Sequence, residues 1–220
     1  MAQAFDTDII PETVPVMNLS RATLFPHAVL PLYIFESRYR QMLETVLQNH
    51  RLFALADLKT EAKDVDNQTS RSLIAGIGVI RACRKNTDGT AHLILQGLSR
   101  IKLLKLSWDK PYPMAKIERV PSIPMGNSVQ YDAIKANLID SIEHLVQLDS
   151  SLSDDIIPFL ANFEDSEDVL DVAIASLCPA GAFKQKLLET LKIEDRYRYF
   201  LNFIEEEKAD IIQRKKFPEK

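Results

Sequence analysis

Two prolines close to or inside an apolar run constrain this chain more than any other feature. Between Val14 and Leu47 an apolar opening (Val14, Val16, Leu19) leads to Leu24, Phe25, Pro26 and His27, then to Val29-Leu30-Pro31-Leu32-Tyr33-Ile34-Phe35. The second run has the length and composition of a strand, yet proline has no amide hydrogen and is tolerated only at a sheet edge, a strand end or a bulge. The segment is therefore predicted to lie at a rim or to bend sharply. Beyond it Phe35, Tyr39, Met42, Leu43, Val46 and Leu47 recur at spacings near three and four, which predicts an amphipathic helix over residues 36–48. Phe25, Phe35 and Tyr39 are expected to pack between that helix and the strands, as aromatics at such spacing usually belong to a core.

The remaining residues supply what this segment needs around it. Leu52 to Asp57 reads as a short apolar strand, and 59–72 as a polar loop. Ile74 to Arg84 and Ala91 to Gln96 flank Asn86-Thr87-Asp88-Gly89, and Asp-Gly adopts the positive φ that tight hairpin turns require. Gly97-Leu98-Ser99 is expected to connect to a further strand over 100–106, and a proline-bracketed corner at 108–113 to a last one over 114–120. Six or so short strands with one helix predict a curled sheet or small barrel.

Pro121 to Gly126 stops regular structure, and everything beyond it carries helical spacing. Helices are predicted over 129–148, opened by Asn127 with Gln130 as a cap pair, and over 156–162. A third is opened by Asp165 or Ser166, and two more cover 183–192 and 195–215. The predicted fold class is α+β: residues 1–13 a flexible lead-in, 14–120 a β-rich subdomain, 121–220 an α-helical subdomain.

These blocks, in this order, resemble the N-terminal, substrate-recognition domain of Lon proteases, also found as the Lon-like part of cereblon. Phe25, Pro26, Pro31 and Leu32 match its F-P-x-x-x-x-P-L core, and Glu36, Arg38 and Arg40 the charged opening of its helix. Gly76 to Ile80 resembles its G-x-x-A/V-x-I strand, Asp88-Gly89-Thr90 its hairpin, Gly97 to Ile101 its G-x-x-R strand, and Lys184 to Glu189 its K-Q-x-L-L-E helix. The resemblance implies a PUA-like pseudo-barrel followed by a helical bundle, and a non-catalytic reader of polypeptides.

Composition and motif searches narrow the function. At 220 residues with 46% hydrophobic and 26% charged residues, the chain can bury a core of its own. No apolar run reaches the ~18 residues of a membrane span, and Met1 to Thr13 lacks the basic region and apolar stretch of a signal peptide, so a cytoplasmic location and no membrane partner are expected. Residues 1–120 hold 16 Lys+Arg against 12 Asp+Glu, whereas residues 121–220 hold 11 against 19. Cys83 and Cys178 have no C-x-x-C neighbour and read as buried free thiols. The six glycines form no phosphate-binding loop, the four histidines are scattered, and no nucleophile elbow occurs. No catalytic residue, metal site or cofactor is predicted, and neither the ATPase nor the peptidase part of a Lon protease is recognised in the chain.

What remains is recognition. The candidate peptide contacts are the Phe25-Pro26-His27 corner, the proline-bearing strand through Pro31 and Tyr33, and the basic strand with Arg100, Lys102 and Lys105. An edge strand with unpaired backbone groups accepts an extended peptide as one more strand. The expected partners are unfolded or exposed polypeptide segments, with a separate protease served by the module as adaptor or regulator. The rival reading is an RNA-binding module of PUA-like fold, with Arg81, Arg84, Lys85, Arg100, Lys102 and Lys105 as its phosphate contacts. A third is a small-ligand pocket, on fold analogy alone.

Overall fold

A computed structural model describes residues 10–58, 73–126 and 128–216. The predicted loop over 59–72, the Asn127 cap and most of the lead-in lie outside the described residues. Among the described residues six strands form, β1 (Thr13–Asn18), β2 (Val29–Ile34), β3 (Leu52–Ala56), β4 (Leu73–Lys85), β5 (Ala91–Ser107) and β6 (Met114–Arg119). The helices are α1 (Ser37–Leu47), α2 (Ser128–Leu148), α3 (Ile156–Ala161), α4 (Ser166–Leu177), α5 (Ala182–Glu189) and α6 (Ile193–Lys216). This is the mixed α+β class that the residue patterns predict.

The sheet runs β2-β5-β4-β3-β1-β6, and β6 also pairs with β5. The strand β5 makes this closure possible, because its first half pairs with β2 and β4 and its second half with β4 and β6. The expected break at Gly97-Leu98-Ser99 is absent: β5 is one strand of 17 residues, and only register shifts mark the bends. A bulge beside glycine bends a strand without ending it: Leu98 is skipped where Ile77 pairs with Ser99 and Gly78 with Gly97, and the ladder resumes on either side. Five strands thus form a ring, and β2 is added to it with β5 as its only partner strand among the described residues.

Two apolar clusters fill this part of the chain. One lies under α1, where Tyr39, Met42, Leu43 and Val46 meet Phe53, Leu55, Ile80, Leu93 and Leu95. The other is built from the five ring strands, with Val14, Val16, Ala54, Ile77, Ile101 and Ala115 among its members. All five residues of β3 are buried because successive side chains enter opposite clusters, which is why LFALA carries no polar alternation. Phe25 and Tyr39 occupy core positions as expected, but Phe35 is 61% exposed, because it stands beyond the end of β2 and before the first turn of α1.

The chain divides into two compact units. The first holds the described residues up to Pro121 together with Pro179–Glu189, and the second Ser122–Cys178 with the residues from Thr190 onward. The helix α5 therefore belongs with the sheet, although its spacing is indistinguishable from that of its helical neighbours in sequence. Gln185 Nε2 donates to the Ile74 carbonyl at 2.9 Å, Arg100 Nε donates to the Leu188 carbonyl at 3.1 Å, and Leu187 and Leu188 are buried.

In the second unit α2, α3, α4 and α6 pack on one another. Asp165 caps α4, its carboxylate accepting from the Glu167 and Asp168 amides at 2.7 and 3.3 Å. Arg196 of α6 is fully buried there, its guanidinium 2.6 Å from Glu167 and 3.2 Å from Asp171.

Candidate functional site

The predicted contact residues separate into those the fold hides and those it displays. Phe25 is fully buried and Arg100 is 3% exposed, with the guanidinium 5.5 Å from the Phe25 ring centroid. The reason is backbone packing: the Leu24 and Phe25 carbonyls lie on Gly76 and Gly97, where a β-carbon would approach them to 2.0 and 1.9 Å. Glycine at those two positions lets the Leu24-Phe25 segment sink onto the sheet, so Phe25 and Arg100 serve the interior and are withdrawn as surface contacts. Pro26 and His27 form the half-buried turn that follows, where His27 has φ 61° and donates its amide to the Gly97 carbonyl at 3.0 Å. Lys102 sits opposite Glu118 in the second half of β5, two residues from the buried Arg100 and on a part of β5 that does not pair with β2.

Pro31 and Tyr33 are displayed. The Gly97 amide donates to the Ala28 carbonyl, so along β2 the groups bonded to β5 are those of Leu30, Leu32 and Ile34 by alternation. Pro31 then falls where the missing amide would have pointed away from the sheet, which is where an edge strand tolerates proline. The same alternation sends Leu30, Leu32 and Ile34 toward α1 and leaves Val29, Pro31 and Tyr33 on the other face.

Register places His92, Ile94 and Gln96 of β5 beside them, and Ala82 and Arg84 of β4 beyond. Val29, Tyr33 and Phe35 are 55%, 49% and 61% exposed. Tyr33 stacks on Phe35 with ring centroids 5.9 Å apart and meets the His92 ring at 4.7 Å. An open groove of about 500 Å³ runs over Pro31, Tyr33, Ala82, Arg84, His92 and Ile94. Arg81, at the irregularity in β4, donates Nε to Gln96 Oε1 at 2.6 Å and so stands on the same face.

Sequence reading missed Val29, Phe35, His92 and Ile94 as members of this surface. A signal was available in the alternation of Ala91, Leu93 and Leu95 with His92, Ile94 and Gln96, whose burial also alternates. Its link to Tyr33 depends on strand register, which no local pattern carries.

Among the described residues no group of three His, Cys, Asp or Glu side chains could hold a metal, and no helix is long and apolar enough to cross a membrane. The fold and this face define a mixed α+β domain, built on a sheet closed through one long strand, that exposes aromatic and aliphatic side chains on an edge. The model of the ATP-dependent protease La (LON) substrate-binding domain matches residues 13–206, and the chain belongs to that family.

Curated relatives include the Lon proteases of Desulfosudis oleivorans, 26% identical over 193 residues, and of Buchnera aphidicola subsp. Acyrthosiphon pisum, 26% identical over 201 residues. These alignments cover 87% and 91% of this chain but 24% and 26% of the relatives, so the chain spans about a quarter of their length. The N-terminal domain of a Mycobacterium avium complex Lon protease has the same fold, with a TM-score of 0.66 at 16% identity, covering 88% of this chain and 98% of that one. A Lon N-terminal domain protein from Xanthomonas campestris gives a TM-score of 0.60 at 14% identity, covering 86% and 97%.

Proposed function

We propose that this chain is a non-catalytic polypeptide-recognition module that takes exposed or unfolded segments on the face made by β2, β5 and β4, and that it acts in the cytoplasm as an adaptor or regulator of a separate protease. One observation carries the reading: the edge strand β2 holds Val29 and Tyr33 about half exposed, with Phe35 exposed just beyond its end, and Tyr33 both stacks on Phe35 and lines an open groove. Contiguous exposed apolar surface on a folded domain marks a binding site more often than an isolated exposed side chain does. Membership in a substrate-binding domain family supports the same reading. Because Pro31 interrupts the outer hydrogen-bonding row, the segment lies across the face, where side chains supply the contact.

The test is binding of a fluorescently labelled, permanently unfolded polypeptide to the purified chain. Micromolar affinity, lost about tenfold or more in Tyr33→Ser with Phe35→Ser, is expected, with neither nucleotide hydrolysis nor peptide cleavage. No binding at high micromolar concentration defeats the reading.

A second reading, an RNA-binding module, draws on the same face, since arginines beside stacked rings suit single-stranded nucleic acid. Filter binding at low salt tests it, and a steep loss with added salt is its signature.

A further inference from the structure

Resting on the polypeptide reading, we infer that this face selects extended segments in which an aromatic or aliphatic residue is flanked by Asp or Glu. The register places eight side chains of β2, β5 and β4 on the face, and none is a carboxylate. Two cations stand there: Arg84, opposite His92, and Arg81, bonded to Gln96. Among the described residues neither arginine pairs with a carboxylate. The acid nearest to Arg84 along the chain, Asp88, accepts from the Thr90 hydroxyl and amide at 2.7 and 2.9 Å, and Glu36, next to Phe35, is held by Arg38 at 2.7 Å. Residues 1–120 also carry an excess of Lys and Arg, so the local field agrees with the pair, although the whole chain is net negative at −4.

The geometry fixes the order of chemistry in the partner. Tyr33, His92 and Arg84 form one row across three neighbouring strands. Strands lie about 4.8 Å apart, so Tyr33 and Arg84 are separated by about 10 Å along the row. An extended chain covers that in about three residues. A ring or aliphatic side chain at Tyr33 and Phe35 therefore puts a residue two to four positions away beside Arg84. A carboxylate there gains a charge-assisted hydrogen bond, whereas a lysine meets two guanidinium groups.

The experiment compares three labelled 12-residue peptides that share their aromatic and aliphatic residues and differ only in flanking Glu, Gln or Lys. Fluorescence anisotropy with the full chain is expected to give affinity for the Glu peptide about three- to fivefold above that for the Gln peptide, with Lys weakest. The preference should shrink as salt rises and vanish in Arg81→Gln with Arg84→Gln. Equal affinity for all three at low salt overturns the selectivity and leaves polypeptide recognition standing. If none of the peptides binds and the unfolded polypeptide does not bind either, both fail. A single-stranded RNA that displaces the Glu peptide at lower concentration overturns the inference in favour of nucleic acid.

Discussion

The carbonyl oxygen of Phe25 rests on the α-carbon of Gly97, so closely that a β-carbon there would lie 1.9 Å from it. The contact is locked from both sides, because the Gly97 amide donates to Ala28 and the Gly97 carbonyl accepts from His27. Gly76 receives the Leu24 carbonyl in the same way, at 2.0 Å from its would-be β-carbon. Neither obstacle is a flexible side-chain end, so an added methyl group must displace backbone. Gly97→Ala and Gly76→Ala should each cost about 3 kcal/mol in urea unfolding, at the upper end of overpacking penalties. Gly89→Ala, strained by φ 82° at a hairpin tip and meeting only the movable end of Arg40, 2.9 Å from the added β-carbon, should cost about 1 kcal/mol. A Gly97→Ala protein unfolding at the parent's midpoint would show that the close approach does not exist.

The buried and displayed aromatics should respond in opposite ways. Phe25→Ala empties a fully buried site and removes the ring beneath Arg100, and should cost about 4 kcal/mol. Phe35→Ala, at an exposed site, should stay within about 0.5 kcal/mol of the parent while weakening peptide binding. Paired unfolding and binding titrations distinguish the two.

Tyr39 ties α1 to the end of β1, its hydroxyl donating to the Asn18 carbonyl at 2.9 Å and accepting from the Asn18 amide at 3.0 Å. Tyr39→Phe should lose about 1–2 kcal/mol. Burial raises the phenol above its ordinary 10.0, against the pull of Arg38. The neutral form is thus favoured by folding, and its contribution is complete below the ordinary value and lost as pH climbs toward the raised one. The stability gap between parent and Tyr39→Phe should therefore narrow in strong alkali, as a pH series of urea melts would reveal.

Asp88 organises the hairpin tip by accepting the Thr90 hydroxyl at 2.7 Å and the Thr90 amide at 2.9 Å. Those bonds, the hydroxyl first, hold its carboxyl below the usual aspartate range. A depressed carboxyl stabilises the fold above the ordinary value, and the contribution is lost as pH falls through the lowered one. Carboxyl-carbon NMR should place Asp88 among the more acidic aspartates, and Thr90→Ala should return it toward normal. An Asp88 titration unmoved by that substitution would contradict the bond.

Arg196 compensates two acids inside the helical unit, and Asp171 is itself 1% exposed. Arg196→Leu leaves the Asp171 carboxylate buried without its cation and should cost about 3–5 kcal/mol. Arg196→Leu with Asp171→Leu should recover part of that loss. A double substitution as damaging as the sum of the singles would mean that the pair does not interact.

Element types and much of their order were legible from residue patterns. Pro31 announced an edge or a sharp bend, Asp88-Gly89 a tight turn, and Asp165 or Ser166 a helix start, since each is a property of a few consecutive residues. The motifs that signal the family turn out to be scaffolding: Gly97 and Arg100 receive Phe25, and Gln185 and Leu188 bind α5 to β4 and β5. Two of the candidates drawn from those motifs, Phe25 and Arg100, are buried, whereas Pro31 of the same core motif is displayed.

Local chemistry in the sequence was enough to determine that this chain makes an edge strand, an amphipathic helix, a hairpin and a run of later helices, because periodicity, proline and glycine act within a few residues. Only the tertiary structure decided which side chains share a surface. Tyr33 meets His92, and His92 lies opposite Arg84, through pairings between strands far apart in the chain. A one-residue slip in those registers would send the same residues to the opposite face.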